Sequence, residues 1–433
     1  MNRGIFNSPK EAIQAAKTAQ LILSSKGNEE KKRYIANIRK KLLAEDVLLK
    51  MSEMAVEETG MGKVSHKIGK NHLAITKTPS LDFDTPESYV GDEGVTLVES
   101  TPYGVIGAIT PVTNPSETII CNTIGMISAG NSVVFCPHGK SKNVCHYTIG
   151  LINEALVESG APENLVVGYT EINRENTDEV IYSEDVDLLV ATGGSSIVQK
   201  IMKSGKKAIG SGGGNPPVVV DETADLKHAA ASIIAGASLD NNIPCIAEKE
   251  LICLASVADE LLEELKKAGA YILTDQNKID ELLNLVIKDD KIDPSLIGQD
   301  ASVFLNKIGI EADDSVELIV FETIENNVAV QKELLMPILP LVRTETLEEA
   351  IEMAHRCEHG NHHTSVMHSK NIDNLKLMAD KMQTTIFVQN APSYAGIGLG
   401  GEGFTSFTIA CPTGEGLTSY RCFSKIKRKV MCN

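Results

Sequence analysis

"GVIGAITPVTNPSETIICNTIGMISAGNSVVFCPHGKSK", residues 104–142, reads as strand, helix, strand and the start of a second helix. "GVIGAIT" is a short apolar run ended by a proline turn, the signature of a buried strand. "SETIICNTIGMISAG" is long enough for a helix and stops at a glycine, and "SVVFCP" then returns to strand. Two parallel strands need a crossover of about this length. "ENLVVGY", "VDLLVAT", "SSIVQKIMKSG" and "KAIGSGG" continue the alternation downstream. The rhythm predicts an α/β protein built on a parallel sheet flanked by helices.

The first 80 residues read as helices. Ser8 is the expected N-cap of "PKEAIQAAKTAQLIL", with Pro9 in the first turn and Glu11 three residues after the cap. "NEEKKRYIANIRKKLLAEDVLLKMSEMAVEETG" carries one helical period to Gly60. After Pro79, "GVTLVESTPYGVIGAIT" alternates as two strands turning at Pro102–Gly104. "NPPVVVD" begins a further unit, whose helix "LKHAAASIIAGASL" leads into "DNNIPCIAEKE", residues 240–250, and then the strand "KELICLAS". A second α/β set runs from about 258 to 390, with no short-period repeat.

Composition excludes several classes. A net charge of −17 over 433 residues argues against nucleic acid, which demands a concentrated basic patch. The basic run "KIKRK" at 425–429 reads as a solvated terminal segment. No apolar run reaches the length of a membrane span, and the N-terminus lacks the apolar core of a secretory signal, so a cytoplasmic protein is expected. The nine cysteines contain no CxxC pair and read as reduced thiols, so no zinc ribbon is expected.

Two tempting motifs are discounted. "GIGLGG" places Gly396, Gly398 and Gly401 at dinucleotide-fingerprint spacing, but no helix follows to hold a pyrophosphate. The histidines of "HRCEHGNHHTSVMHS" (355, 359, 362, 363 and 368) resemble a metal cluster, yet Gly360 and Asn361 break the helix and no ligand set is completed. No metal is expected.

Two positions carry more. Asn114 sits in a proline-bracketed turn at the carboxyl end of a strand, where open parallel sheets bind ligands. A fixed amide there can donate to a developing oxyanion, although from position alone an Asx-turn is the better explanation. Cys121, Cys136, Cys145 and Cys253 lie in apolar runs and read as small buried hydrophobes. Cys245 instead follows a polar, proline-constrained loop, where a thiol can be exposed and activated.

Together these segments resemble the aldehyde dehydrogenase superfamily, and within it the CoA-acylating acetaldehyde and propionaldehyde dehydrogenases. The resemblance rests on "TPYGVIGAITPVTNPSETIICN", "AGNSVVFCPHGKSK", "VATGGSSIVQK", "GSGGGNPPVVVDETADL", "DNNIPCIAEKE", "KELLMPILPLV" and "EHGNHHTSVMHS", in the family's order from about residue 5 to 425. It implies a Rossmann-like cofactor domain over 1–84 and 102–222, an α/β catalytic domain over 223–410, and a β-strand oligomerisation arm from 85–101 and 411–433. Cys245 would be the nucleophile and Asn114 the oxyanion donor. Thr110, Pro111 and Val112 would line the cofactor, with Pro137 and His138 on the adenosine side. Thr192, Gly193 and Gly194 would face its phosphates and Gly212 and Gly213 its nicotinamide end. Glu333 would hold the nicotinamide ribose and Leu335 would pack near the ring.

The resemblance further implies NAD rather than NADP, coenzyme A as co-substrate, a short-chain aldehyde, and a homo-oligomer (dimer or tetramer). Relatives are packaged in bacterial microcompartments through an N-terminal extension. This chain starts close to the common core, so the extension is expected to be absent; the cytoplasm is the expected location, with a bacterial microcompartment lumen as the alternative if another element directs the protein to a shell. Ser211, in "GSGGGN", stands where hydrolytic members carry a glutamate base. A serine does not deprotonate water near neutral pH, so the acyl-enzyme should await CoA rather than hydrolyse.

Overall fold

The computed structural model describes residues 3–81, 87–289 and 291–432. The chain divides into two compact units, Met1–Thr59 with Ile68–Gly212 and Phe404–Asn433, and Gly60–Lys67 with Gly213–Gly403. Strand Pro217–Val220 belongs to the second unit's sheet, so the division comes at Gly212 and not at residue 222. The expected boundary at residue 84 lies outside the described residues.

The first unit holds a six-stranded sheet in the order Ile5–Phe6, Val166–Tyr169, Ser132–Cys136, Val105–Ile109, Leu188–Thr192, Lys207–Ser211. Every pairing is parallel. The central strands are apolar and buried on both faces, as a helix-covered parallel sheet requires. Helix Pro115–Ser128 is buried at every position. Helix Pro9–Leu23 is capped as expected: Glu11 N–H donates to Ser8 Oγ at 3.3 Å, and Asn7 N–H donates to Glu11 Oε2 at 3.2 Å.

The helix expected to run unbroken to Gly60 is instead two, Asn28–Leu42 and Glu45–Thr59. Both pack on helix Lys142–Glu158. The break at 43–44 lets each bury its own apolar stripe, Ile35–Ile38–Leu42 and Leu48–Met51–Ala55. No glycine or proline marks it, so tertiary packing overrides the local signal.

The strands either side of Pro102–Gly104 enter different sheets. Gly94–Pro102 lies between Glu87–Gly91 and Ser424–Cys432 in an antiparallel three-stranded sheet, whereas Val105–Ile109 joins the six-stranded one.

The second unit's sheet has seven strands, again all parallel, in the order Ala270–Leu273, Leu318–Thr323, Ile338–Thr344, Glu250–Leu254, Pro217–Val220, Thr364–His368, Ile386–Gln389. One core beneath it gathers Leu282, Val286, Phe304, Leu305, Ile319 and Phe321.

Candidate active site

In the first unit the strand order reverses at Val105–Ile109. The next two long strands lie on one side of it, and Leu188–Thr192 and Lys207–Ser211 lie on the other. Such a switch point opens a crevice at the carboxyl ends of the strands. Thr110, Pro111, Val112 and Asn114 follow the first of those strands, Pro137 and His138 the next, Thr192, Gly193 and Gly194 the third, and Gly212 the last. All the residues expected of the cofactor domain therefore share one edge.

Their capacities differ. Thr110 Oγ1 is buried with no hydrogen-bond partner among the described residues. The Thr192 and Thr408 hydroxyls pair at 2.8 Å, and Gly193 N–H donates to the Ser211 carbonyl at 3.0 Å. Neither group is then left for a phosphate. Gly194 opens helix Ser195–Met202 with no atom within 4 Å of where its Cβ would stand. A helix's first-turn amides lack intrahelical acceptors, so Gly194 is the member of that trio suited to an anion. His138 is exposed, caps the turn Gly139–Ser141 through Nδ1, and is biased toward its neutral form by desolvation. These features fit a dinucleotide cofactor.

Asn114 is the N-cap residue of Pro115–Ser128, yet its side chain makes no cap bond. This removes the Asx-turn explanation. Its Oδ1 accepts instead from Lys70 Nζ at 2.7 Å, and Lys70 pairs with Glu117 Oε1 at 3.1 Å, all three side chains being buried. An ammonium can only donate, so the amide oxygen must face Lys70 and the NH₂ must point away. Thr113 Oγ1 takes one amide hydrogen at 3.2 Å. The second is available to an oxyanion. Sequence reasoning missed Lys70 and Glu117. The signal was a glutamate inside an otherwise uncharged buried helix, which demands a partner.

The second unit gathers its functional residues at the opposite ends of strands. Glu333, Cys245, Gly213 and His363 precede Ile338–Thr344, Glu250–Leu254, Pro217–Val220 and Thr364–His368, which are four neighbours in the sheet. A Cβ on Gly213 would stand 2.9 Å from Glu333 Oε2, and one on Gly214 would stand 2.8 Å from the Cys245 carbonyl and 3.0 Å from His363 Cγ. At Gly214, where the near atom is backbone, a side chain would force the Cys245 loop to move. Leu335 has a φ of +56° and its carbonyl accepts from Gly298 N–H at 3.0 Å.

Cys245 is half-buried between the buried Ile243 and Ile246. Cys121, Cys136, Cys145 and Cys253 are buried, and desolvation pushes each thiol up to about 12. Those four are inert as expected. Burial raises the Glu333 carboxyl while Lys249, 3.7 Å away, pulls it down. His363 is held neutral, its pKa lowered to about 4 by burial. Its Nδ1 lies 2.8 Å from Thr364 Oγ1, and Nε2 has no protein partner among the described residues.

"GIGLGG" forms a short turn with left-handed Gly398 and Gly400, and no helix follows. No group of three or more metal-ligating side chains occurs among the described residues. No described helix is long and apolar enough to cross a membrane.

Comparison with known proteins gives consistent matches. Residues 7–407 match the aldehyde dehydrogenase family. The acetylating acetaldehyde dehydrogenase of Salmonella typhimurium is 43% identical over 99% of this chain and 92% of its own length. The crystal structure of Rhodopseudomonas palustris propionaldehyde dehydrogenase, with bound CoA and an acylated cysteine, is 49% identical. It has a TM-score of 0.98 and covers 100% of this chain and 99% of that one. A propionaldehyde dehydrogenase from the fucose utilisation microcompartment of Clostridium phytofermentans is 45% identical, with a TM-score of 0.97 over 99% of this chain and 98% of its own.

Proposed function

We infer the chemistry of this chain from a premise that the matches establish: it belongs to the aldehyde dehydrogenase family. It is a CoA-acylating aldehyde dehydrogenase, an oxidoreductase converting a short-chain aldehyde, CoA and NAD⁺ to acyl-CoA and NADH. The observation that carries this reading is the near-complete match to an enzyme solved with CoA and an acylated cysteine, together with Cys245 as a half-buried thiol whose carbonyl is closely approached by Gly214.

The roles of individual residues are our proposal. The Cys245 thiolate adds to the aldehyde carbon, and the Asn114 amide, aimed by Lys70, donates to the resulting alkoxide. Bound NAD⁺ supplies the hydride acceptor, with Glu333 proposed to hold its ribose and Gly194 its phosphates. An acyl thioester then remains on Cys245. The CoA thiol attacks it, and His363 Nε2 accepts the thiol proton in the tautomer that donates Nδ1–H to Thr364. Transfer of the acyl group to sulfur regenerates the Cys245 thiolate. Asn114→Ala should lower kcat by about 10²–10³, the usual loss for one oxyanion donor. A fall of less than about threefold in steady-state assays would reduce Asn114 to a turn residue.

Acetaldehyde and propionaldehyde differ by one methylene, worth only about 1–3 kcal/mol of discrimination. Steady-state assays from acetaldehyde to hexanal, with and without CoA and with both nicotinamide cofactors, rank the substrates directly. The microcompartment origin of one relative makes a microcompartment lumen a second candidate location.

The three-stranded sheet is proposed as the oligomerisation arm. Strand Ser424–Cys432 is exposed along nearly its whole length, including Ile426, Val430 and Met431, as are Tyr89 and Val90 on the opposite edge. Such edges invite pairing with another copy. Tyr420 and Phe423 are buried, and Phe423 packs so closely on helix Pro115–Ser128 that a Cβ on Gly125 would stand 2.9 Å from its ring. Removal of the whole segment from 416 would therefore damage the first unit itself. Truncation after Ser424 is the cleaner test, and should give folded monomers in sedimentation; an unchanged oligomer would rule the arm out.

A further inference from the structure

Asp240, Asn241 and Asn242, the three residues that lead into the Cys245 loop, have φ values of +49°, +57° and +66°. A run of three non-glycine residues in the left-handed region persists only where surrounding groups fix it. Those groups are present. Asp240 accepts from Lys67 Nζ at 3.0 Å and from Lys63 N–H at 2.8 Å, with the Lys67 and Asp240 side chains fully buried. The Asn241 amide donates to the Gly298 carbonyl and Asp300, and the Asn242 amide to the carbonyls of Ala237 and Glu248.

The remaining oxygens converge on one cation. Lys249 Nζ donates to the Asn242 carbonyl at 2.6 Å, to Asn242 Oδ1 at 2.7 Å and to the Pro244 carbonyl at 3.3 Å. Three acceptors need three N–H groups, which only the ammonium form provides. Pro244 is the residue before Cys245, so the contact reaches the nucleophile's own peptide.

The other titratable groups facing this position carry little opposing charge. Burial pushes Glu248 up to about 7, and its carboxylate is engaged by Ser393 N–H and Oγ at 2.9 Å each. Glu250 is buried with no hydrogen-bond partner among the described residues, and burial raises its carboxyl well above the usual carboxylate range. Glu358, which faces Glu250, accepts from His363 N–H at 2.8 Å. His363 is neutral. Glu333 lies 3.7 Å from Lys249; burial raises its carboxyl and Lys249 pulls it back down. Burial pulls the Lys249 ammonium down, while Glu333 and then Cys245 push it up.

We propose that Lys249 is a positioning residue for Cys245: its ammonium fixes the carbonyls on the amino side of the nucleophile and stabilises the thiolate electrostatically. This rests on the reading of Cys245 as the nucleophile, and the test separates the two. The probe is iodoacetamide, with Cys245 alkylation followed by peptide mass spectrometry against pH, in the absence of aldehyde, CoA and nicotinamide. Lys249→Gln keeps a donor for the Asn242 carbonyl and removes the charge. It should raise the pH midpoint of Cys245 alkylation by about one unit or more, the effect of losing a nearby opposite charge. A midpoint equal to that of the unsubstituted enzyme overturns the proposal, whatever happens to turnover. Should Lys249→Gln fail to fold, Lys249→Met decides, since it keeps the length of the side chain without its charge. The midpoint should again rise by about one unit or more, and an unchanged or lowered midpoint overturns the proposal. The identity of the nucleophile is judged separately, by turnover of Cys245→Ala.

Discussion

Cys245→Ala loses acyl-CoA formation by at least about 10⁴-fold, since an enzyme stripped of its nucleophile retains only binding and oxyanion stabilisation. The expected loss follows from the chemistry, because no acyl-enzyme can form without a sulfur to carry it. Thermal stability and NAD⁺ affinity should change little. Cys245 is half-buried in a loop whose conformation is held by side chains other than its own. Cys253→Ala is the matched control. That thiol lies in strand Glu250–Leu254, fully buried, with burial pushing it up to about 12. Deleting it should lower the melting temperature and leave kcat within about twofold, the outcome for a packing residue remote from chemistry. Turnover by Cys245→Ala at the rate of the unsubstituted enzyme would remove Cys245 from the mechanism, and with it the acyl-enzyme.

The parallel sheets were legible because buried strands and amphipathic helices leave local patterns, and residues 104–142 alone contain both periods. Cys245 stood out because a polar, proline-constrained loop leads into it, whereas Cys121, Cys136, Cys145 and Cys253 lie in apolar runs. What holds the site was hidden. Lys70, Glu117 and Lys249 act through partners distant in sequence or through a loop closed by left-handed residues, and nothing in local composition encodes those geometries. The second unit also inverts the usual expectation. Open parallel sheets place ligands at carboxyl ends, yet Cys245, Glu333, Gly213 and His363 all precede their strands. Sequence order shows which residues flank a strand, but the sheet order that makes four such loops neighbours becomes visible only in the fold. His363 is set apart from His359 and His362 by its burial, which the histidine-rich sequence around it does not show.

Enzyme mixed with NAD⁺ and propionaldehyde, with CoA withheld, should release a burst of about one NADH per active site and then nearly stop. The outcome depends on which nucleophile can open the acyl-Cys245 thioester. Water needs a general base, and the family resemblance implies that Ser211 takes the position of the glutamate base of hydrolytic members. In the structure Ser211 ends strand Lys207–Ser211, is buried, and its hydroxyl accepts from Ile409 N–H at 3.2 Å. It is thus a structural hydroxyl with no basic character. A thiol attacks a thioester with far less activation than water requires, so CoA should restore turnover at once. The tight seat of Ser211 also changes how the idea is tested. Ser211→Glu would force a carboxylate into a buried slot shaped for a hydroxyl, and its instability would obscure any gain in hydrolysis. The partition of product is the sounder readout: with CoA present, propionyl-CoA should account for nearly all the NADH formed, and free propionate for almost none. Sustained NADH production without CoA, at a rate matching that with it, would mean that a base elsewhere activates water and that the enzyme is hydrolytic.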